Sequence, residues 1–319
     1  MSSLLANVNT IQTTPIQNPI PKTNQTPVSV EKSVSGKDEG DVFVSENNNQ
    51  QKASAKSKRM KIIAGIVGGA ILLPIAIGVG ALKYQSHYIK KAQKVFQNAF
   101  MRDDISVEET KQILERYRNI NEIKETDKFI DALFLEAKKN FGLDNSNIKI
   151  EHTSMKKGIA GLADAYLGVI KINSDLTSRS KYINFIHHEL RHFKQQYLAA
   201  NLSFEDLIQS QIDGIAASNC EQAIKEYAQL SGTKRAMERD LLHTFNLSRF
   251  DISNVPERLR SFAKKVIDTN KDTVQLELNV KNNPSDKVSY KAYRKCFIED
   301  DAFNVGESMK KLLGFIIPV

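Results

Sequence analysis

Residues 178–198 read SRSKYINFIHHELRHFKQQYL, and inside that stretch His188-Glu189-Leu190-Arg191-His192 places two imidazoles four positions apart. Tyr182, Ile183, Ile186, Leu190, Phe193 and Tyr197 recur at mixed three- and four-residue intervals, with no glycine or proline between them. That periodicity predicts a largely buried helix over 178–198. Residues four apart on a helix lie about 40° apart around its axis, so His188 and His192 project from one face and can share a metal ion. Glu189 sits about 60° from His192 on the same side, within reach of a water held by that ion but too displaced to be a natural third ligand. Two imidazoles and a neighbouring carboxylate are the minimum that can hold Zn2+ and take a proton from its water. A metal-dependent hydrolase is the first expectation.

The competing reading is a polar stripe on a solvated helix, with His192 and Glu189 in a weak surface contact. A chain of this length and composition would contain H-E-x-x-H by chance about once in a hundred tries. The buried-helix context favours the metal. His187 points about 100° away from His188, so it is expected to pack or to support the site from behind. Gln195 shares the face of the two histidines one turn on, and can orient a ligand. Arg191 faces away from His192 and is expected on the helix surface.

Upstream, 1–61 is rich in Asn, Gln, Ser, Thr and Pro and poor in periodic apolar residues. Such a stretch buries too little to offset its ordering entropy, and a disordered tail is expected. Residues 62–82, IIAGIVGGAILLPIAIGVGAL, carry no charge. At the helical rise, roughly 21 residues span about 30 Å, the hydrocarbon thickness of a bilayer. A single-pass membrane anchor is expected there, with a glycine-rich face that supports at most a weak homodimer. Lysines and arginines flank the run on both sides, with a slight excess before it. That excess favours a cytoplasmic N-terminus and an extracytoplasmic catalytic part.

The net charge of +8 and pI near 9.2 do not make a nucleic-acid protein. The basic residues are interleaved with acids, and no zinc-finger or basic-aromatic module is present. Two cysteines, Cys220 and Cys296, are too few for a disulfide framework, though they can pair in an oxidising compartment.

The rest reads as mainly helical α+β. An amphipathic stripe over 84–101 continues the anchor into a helical linker region, 83–125. Ser106 with Glu109 forms a capping box opening a helix over 107–120. Another helix is expected over 127–140, stopped by Gly142. A short strand is expected over 147–151 and a second over 166–172, directly before the motif helix. That second strand can be an exposed edge onto which a peptide adds, or a plain core strand. Helices follow from about 204 to 269, with breaks near Gly214 and Gly232, and a strand is expected over 271–280. Asp268, Asn270 and Asp272 do not make a calcium loop, since Thr273 and Asn279 stand where glycine and an acid are needed.

His188-Glu189-Leu190-Arg191-His192, with Gln195 and Gln196 just after, resembles the zincin metallopeptidases. Many small bacterial members read H-E-L-x-H followed by Gln. Further on, Glu299-Asp300-Asp301-Ala302 is similar to the E-x-[DE]-A segment in which gluzincins carry a third ligand on a second helix. The resemblance implies a minimal zincin-like domain over 126–319, with a small sheet before the motif helix and a helical insertion over about 203–282. It implies one Zn2+ held by His188, His192 and Glu299, with Glu189 as general base in peptide hydrolysis.

On a helix, Glu299 shares a face with Ala302, Phe303 and Gly306. The small residues among these allow close approach to the motif helix. Alternatively, Glu299 is one of three acids at a helix N-terminus, favoured by its dipole. Glu221 has the spacing more usual for a gluzincin third ligand, and Glu226 and Glu238 are further candidates. Tyr293 is a candidate oxyanion donor through its nearness to Glu299. The alternative function is a non-catalytic, membrane-anchored interaction or scaffold protein with a vestigial or structural metal site.

Overall fold

The computed structural model describes residues 79–155, 161–164, 167–174, 178–218, 230–247, 255–283 and 286–314. The chain begins with three helices, α1 (Val79–Phe100), α2 (Val107–Asn121) and α3 (Thr126–Asn140). Ser106 caps α2 by accepting a hydrogen bond from the Glu109 amide at 3.0 Å, the first half of the expected capping box. Helix α3 ends before Gly142, whose φ of +65° takes the left-handed turn that glycine adopts without strain.

Three strands follow: β1 (Lys149–Thr153), β2 (Gly161–Asp164) and β3 (Val169–Asn173). Their order is β1-β3-β2, with β1 parallel and β2 antiparallel to β3. The strand preceding the motif helix is therefore the central one, flanked on both sides, a core strand and not an exposed edge. Burial of Val169, Ile170, Ile172 and Asn173 accounts for this, because only Lys171 turns to solvent. The outer strand β2 was not foreseen. Residues 161–164, Gly-Leu-Ala-Asp, have neither β-branched side chains nor a clear alternation.

The motif helix is α4 (Arg179–Leu202). Its start is tied to the sheet by Tyr182, whose hydroxyl donates to the Asn173 and Ser174 carbonyls at 3.3 and 3.1 Å. Helices α5 (Phe204–Ala217), α6 (Leu230–Phe245), α7 (Glu257–Asn282), α8 (Lys287–Tyr293) and α9 (Phe297–Leu313) complete the described chain. The architecture is mainly helical α+β, with a small sheet ahead of the motif helix.

Two local expectations fail. Residues 271–280 are helical, inside α7, where Val274 and Leu278 are buried one turn apart. The T-V-Q-L-E-L alternation imitates a strand, but the helical spacing of Val274 and Leu278 is the one packing uses. Gly214 lies inside α5 and does not break it, while Gly232 falls in the first described turn of α6. At Gly214 a β-carbon would stand 2.6 Å from the Lys271 carbonyl oxygen, so the absent side chain is what lets α5 and α7 touch.

Residues 83–125, expected as a linker region, share one core with the motif helix. Phe96 and Phe100 of α1 and Ile113 and Tyr117 of α2 are buried in the same cluster as Ile183, Leu190 and Phe193 of α4. Among the described residues no helix is long and apolar enough to cross a membrane. The expected tail, and the apolar run as far as residue 78, lie outside the described residues.

Candidate metal centre

Helix α9 packs lengthwise against α4, and small residues make the approach close. Ala302 is fully buried, and a β-carbon on Gly306 would lie 2.7 Å from the Asn184 carbonyl oxygen and 3.3 Å from the His188 β-carbon. That contact brings Glu299, at the start of α9, over the two motif histidines. The His188 and His192 Nε2 atoms are 3.0 Å apart. Glu299 Oε1 is 3.2 Å from His192 Nε2, and Oε2 is 3.7 Å from His188 Nε2. Glu189 offers a carboxylate oxygen within 4.8 Å of both imidazoles. His188, Glu189 and Glu299 are almost wholly buried.

Two of the ligand candidates, His192 and Glu299, are held from behind. Gln195 donates through Nε2 to the Ile298 carbonyl at 3.0 Å and to Asp301 Oδ2 at 2.8 Å. Its Oε1, 3.0 Å from His192 Nδ1, is consequently the acceptor, which places the imidazole proton on Nδ1 and leaves a lone pair on Nε2. Tyr293 is buried and donates its hydroxyl to Glu299 Oε1 at 2.7 Å. Its hydroxyl thereby acts on the carboxylate.

Arg191 is not on the surface. Its guanidinium grips Asp301 and donates to the Asn98 and Ala99 carbonyls at the end of α1. Arg191 does face away from His192, but that side of α4 meets another helix, not water.

Electrostatics favour a neutral His188 imidazole. Burial pushes His188 well below its usual range, and His192 and Arg294 push the same way, while hydrogen bonding with the Ala302 backbone opposes them. The neutral form is the one that ligates a metal.

His187 does not join the site. It is enclosed by Tyr117 and Phe141, accepts from the Tyr117 hydroxyl at 2.9 Å, and donates through Nδ1 to the Ile183 carbonyl at 2.7 Å. Glu221, Glu226 and Cys220 lie outside the described residues. Glu238 stands on α6 and does not line the cavity beside the histidines.

That cavity, of about 30 Å³, runs between α4, α7, the start of α9 and β2. Glu189, His192 and Glu299 line it on one side, and Phe193, Gln196, Val266, Asn270 and Ala163 on the others. The β2 and α7 contributions carried no sequence signal, because each depends on a packing partner far along the chain, whereas Tyr293 stands only six residues before Glu299. Asp301 is an exception. It falls two residues after Glu299, inside the E-x-[DE]-A segment.

The donor set suits zinc. Tetrahedral Zn2+ with bonds near 2.0–2.1 Å keeps neighbouring ligand atoms about 3.3 Å apart. The separations here, 3.0, 3.2 and 3.7 Å, bracket that value. No protein-family model, curated protein or solved structure matches this chain.

Proposed function

We infer that the protein is a membrane-anchored, zinc-dependent peptidase of gluzincin-like design, with His188, His192 and Glu299 as ligands and Glu189 as general base. The observation that carries the reading is the convergence of Glu299 on the two motif histidines. The chain brings this acid from a separate helix and orients it with a buried tyrosine. Such a set of neutral imidazoles and a held carboxylate is what a divalent cation requires.

Zinc bound there supplies Lewis acidity toward a carbonyl and lowers the pKa of a water. The chain's own residues do the rest. Glu189 takes the proton from the attacking water and hands it to the departing amine. Gln195 keeps the His192 proton on Nδ1 throughout. Beside the cavity, β2 is an outer strand among the described residues, and an extended peptide can add along it. The apolar run over 62–82 anchors the chain in a bilayer. Its flanking charges favour an extracytoplasmic catalytic part, so a reporter fused after Val319 should be active only outside the cytosol.

The test is Glu189→Gln. Zinc content should stay at the wild-type level while peptide hydrolysis is lost; unchanged turnover would remove Glu189 as the base. One observation favours the alternative of a non-catalytic scaffold with a structural metal: the ligand cluster is nearly closed, and the adjoining cavity is small. Stoichiometric zinc with no cleavage across an unbiased peptide library would select that alternative.

A further inference from the structure

Gln196 follows Gln195 on the motif helix but has no part in holding His192. Its side chain lines the cavity beside Glu189 and His192, and its Oε1 is buried without a hydrogen-bond partner among the described residues. A buried carbonyl oxygen left unpaired is costly, so such groups normally face a water or a ligand donor. The surrounding chemistry limits what that donor can be.

Phe193, Val266 and Ile298 supply apolar wall, and Asn270 supplies an amide whose nitrogen is already engaged by Ser210 Oγ and Gln211 Oε1 at 3.0 and 3.2 Å. Among the described residues no lysine or arginine lines the space. The cavity, about 30 Å³, is small and favours a short side chain over an aromatic ring.

We propose that this cavity is a substrate subsite for a short, uncharged side chain carrying a hydrogen-bond donor, of the size of serine, threonine or asparagine, with Gln196 as the acceptor that selects it. The proposal rests on the peptidase reading, since it places the accepted side chain next to the scissile bond that Glu189 serves. The apolar walls favour the methyl of threonine, and Gln196 favours its hydroxyl. An isosteric valine retains the first contact and leaves the Gln196 oxygen unpaired.

The test uses the zinc-loaded full chain and two peptide hydroxamates, which chelate the metal whether or not the site turns over. They differ only in carrying threonine or valine next to the chelating group. The threonine compound should bind about tenfold more tightly, the difference one buried hydrogen bond makes. Gln196→Leu should erase or invert that preference at unchanged zinc content.

Equal binding of the two compounds by the wild type, or a preference that survives Gln196→Leu, would overturn the proposal; the second result would mean that Gln196 holds only a water. Threonine preference in a protein that cleaves no peptide would sink the hydrolase reading and leave the subsite standing. Peptide cleavage without discrimination would do the reverse. Protein that takes up no zinc would overturn both.

Discussion

Arg191 and Asp301 form a two-point ion pair, Nε to Oδ2 at 2.6 Å and Nη2 to Oδ1 at 3.0 Å, between the motif helix and the start of the last helix. The same Asp301 oxygen accepts from Gln195, which in turn fixes the His192 proton. The same guanidinium donates to the Ala99 carbonyl at 3.0 Å. One ion pair thus joins three helices and reaches a metal-ligand candidate. Asp301→Ala leaves a buried guanidinium without its counter-charge and should cost about 3 kcal/mol in denaturant unfolding. Asp301→Asn keeps the shape and should lose less stability, while still weakening zinc binding by about tenfold or more.

Tyr293→Phe separates orientation of Glu299 from its presence. Removing the hydroxyl leaves the carboxylate beside the histidines but free to turn, so zinc affinity should fall by about tenfold in a competition titration. Glu299→Ala should lose the metal nearly completely. Equal losses in the two variants would mean that Tyr293 does more than orient the acid.

Gly306→Val places a side chain where the Asn184 backbone and the His188 β-carbon already stand. The helices must part, at a cost of about 1–3 kcal/mol. Glu299 rides on the displaced helix, so zinc stoichiometry should drop while far-UV circular dichroism stays that of a helical protein. Gly306→Ala should show the same effects in reduced form.

His187 should make the metal-free protein acid-sensitive. Burial lowers its pKa from 6.5 to about 4, so between those values the unfolded chain binds a proton that the folded one refuses. The associated stability is complete above about pH 6.5 and drains as pH falls toward 4, on the order of 3 kcal/mol in all. His188 is shifted in the same direction and adds to the loss. His187→Gln, which can still accept from Tyr117, should flatten the pH dependence of unfolding over that window without abolishing it.

Much of the site was legible because it is local or periodic. The four-residue spacing of His188 and His192, the place of Gln195 one turn on, and the small residues at 302 and 306 all follow from helical geometry. Ser106 and Gly142 mark helix ends by backbone chemistry alone. The rest depends on partners that the spacing does not name. Arg191 was assigned to solvent because helical angle gives direction but not what lies there. Val274 and Leu278 fit both a strand and a helix, and contact with α5 decides between them. The role of Tyr293 required knowing that α8 ends against the first turn of α9.

Elemental analysis of the purified full chain, before and after dialysis against zinc, examines the metal centre without reference to any substrate. One zinc ion per chain is expected in the wild type and in Glu189→Gln, and close to none in Glu299→Ala. A wild-type protein that is folded yet takes up no zinc, or a Glu299→Ala variant that retains a full equivalent, would contradict the assignment of His188, His192 and Glu299 as its ligands.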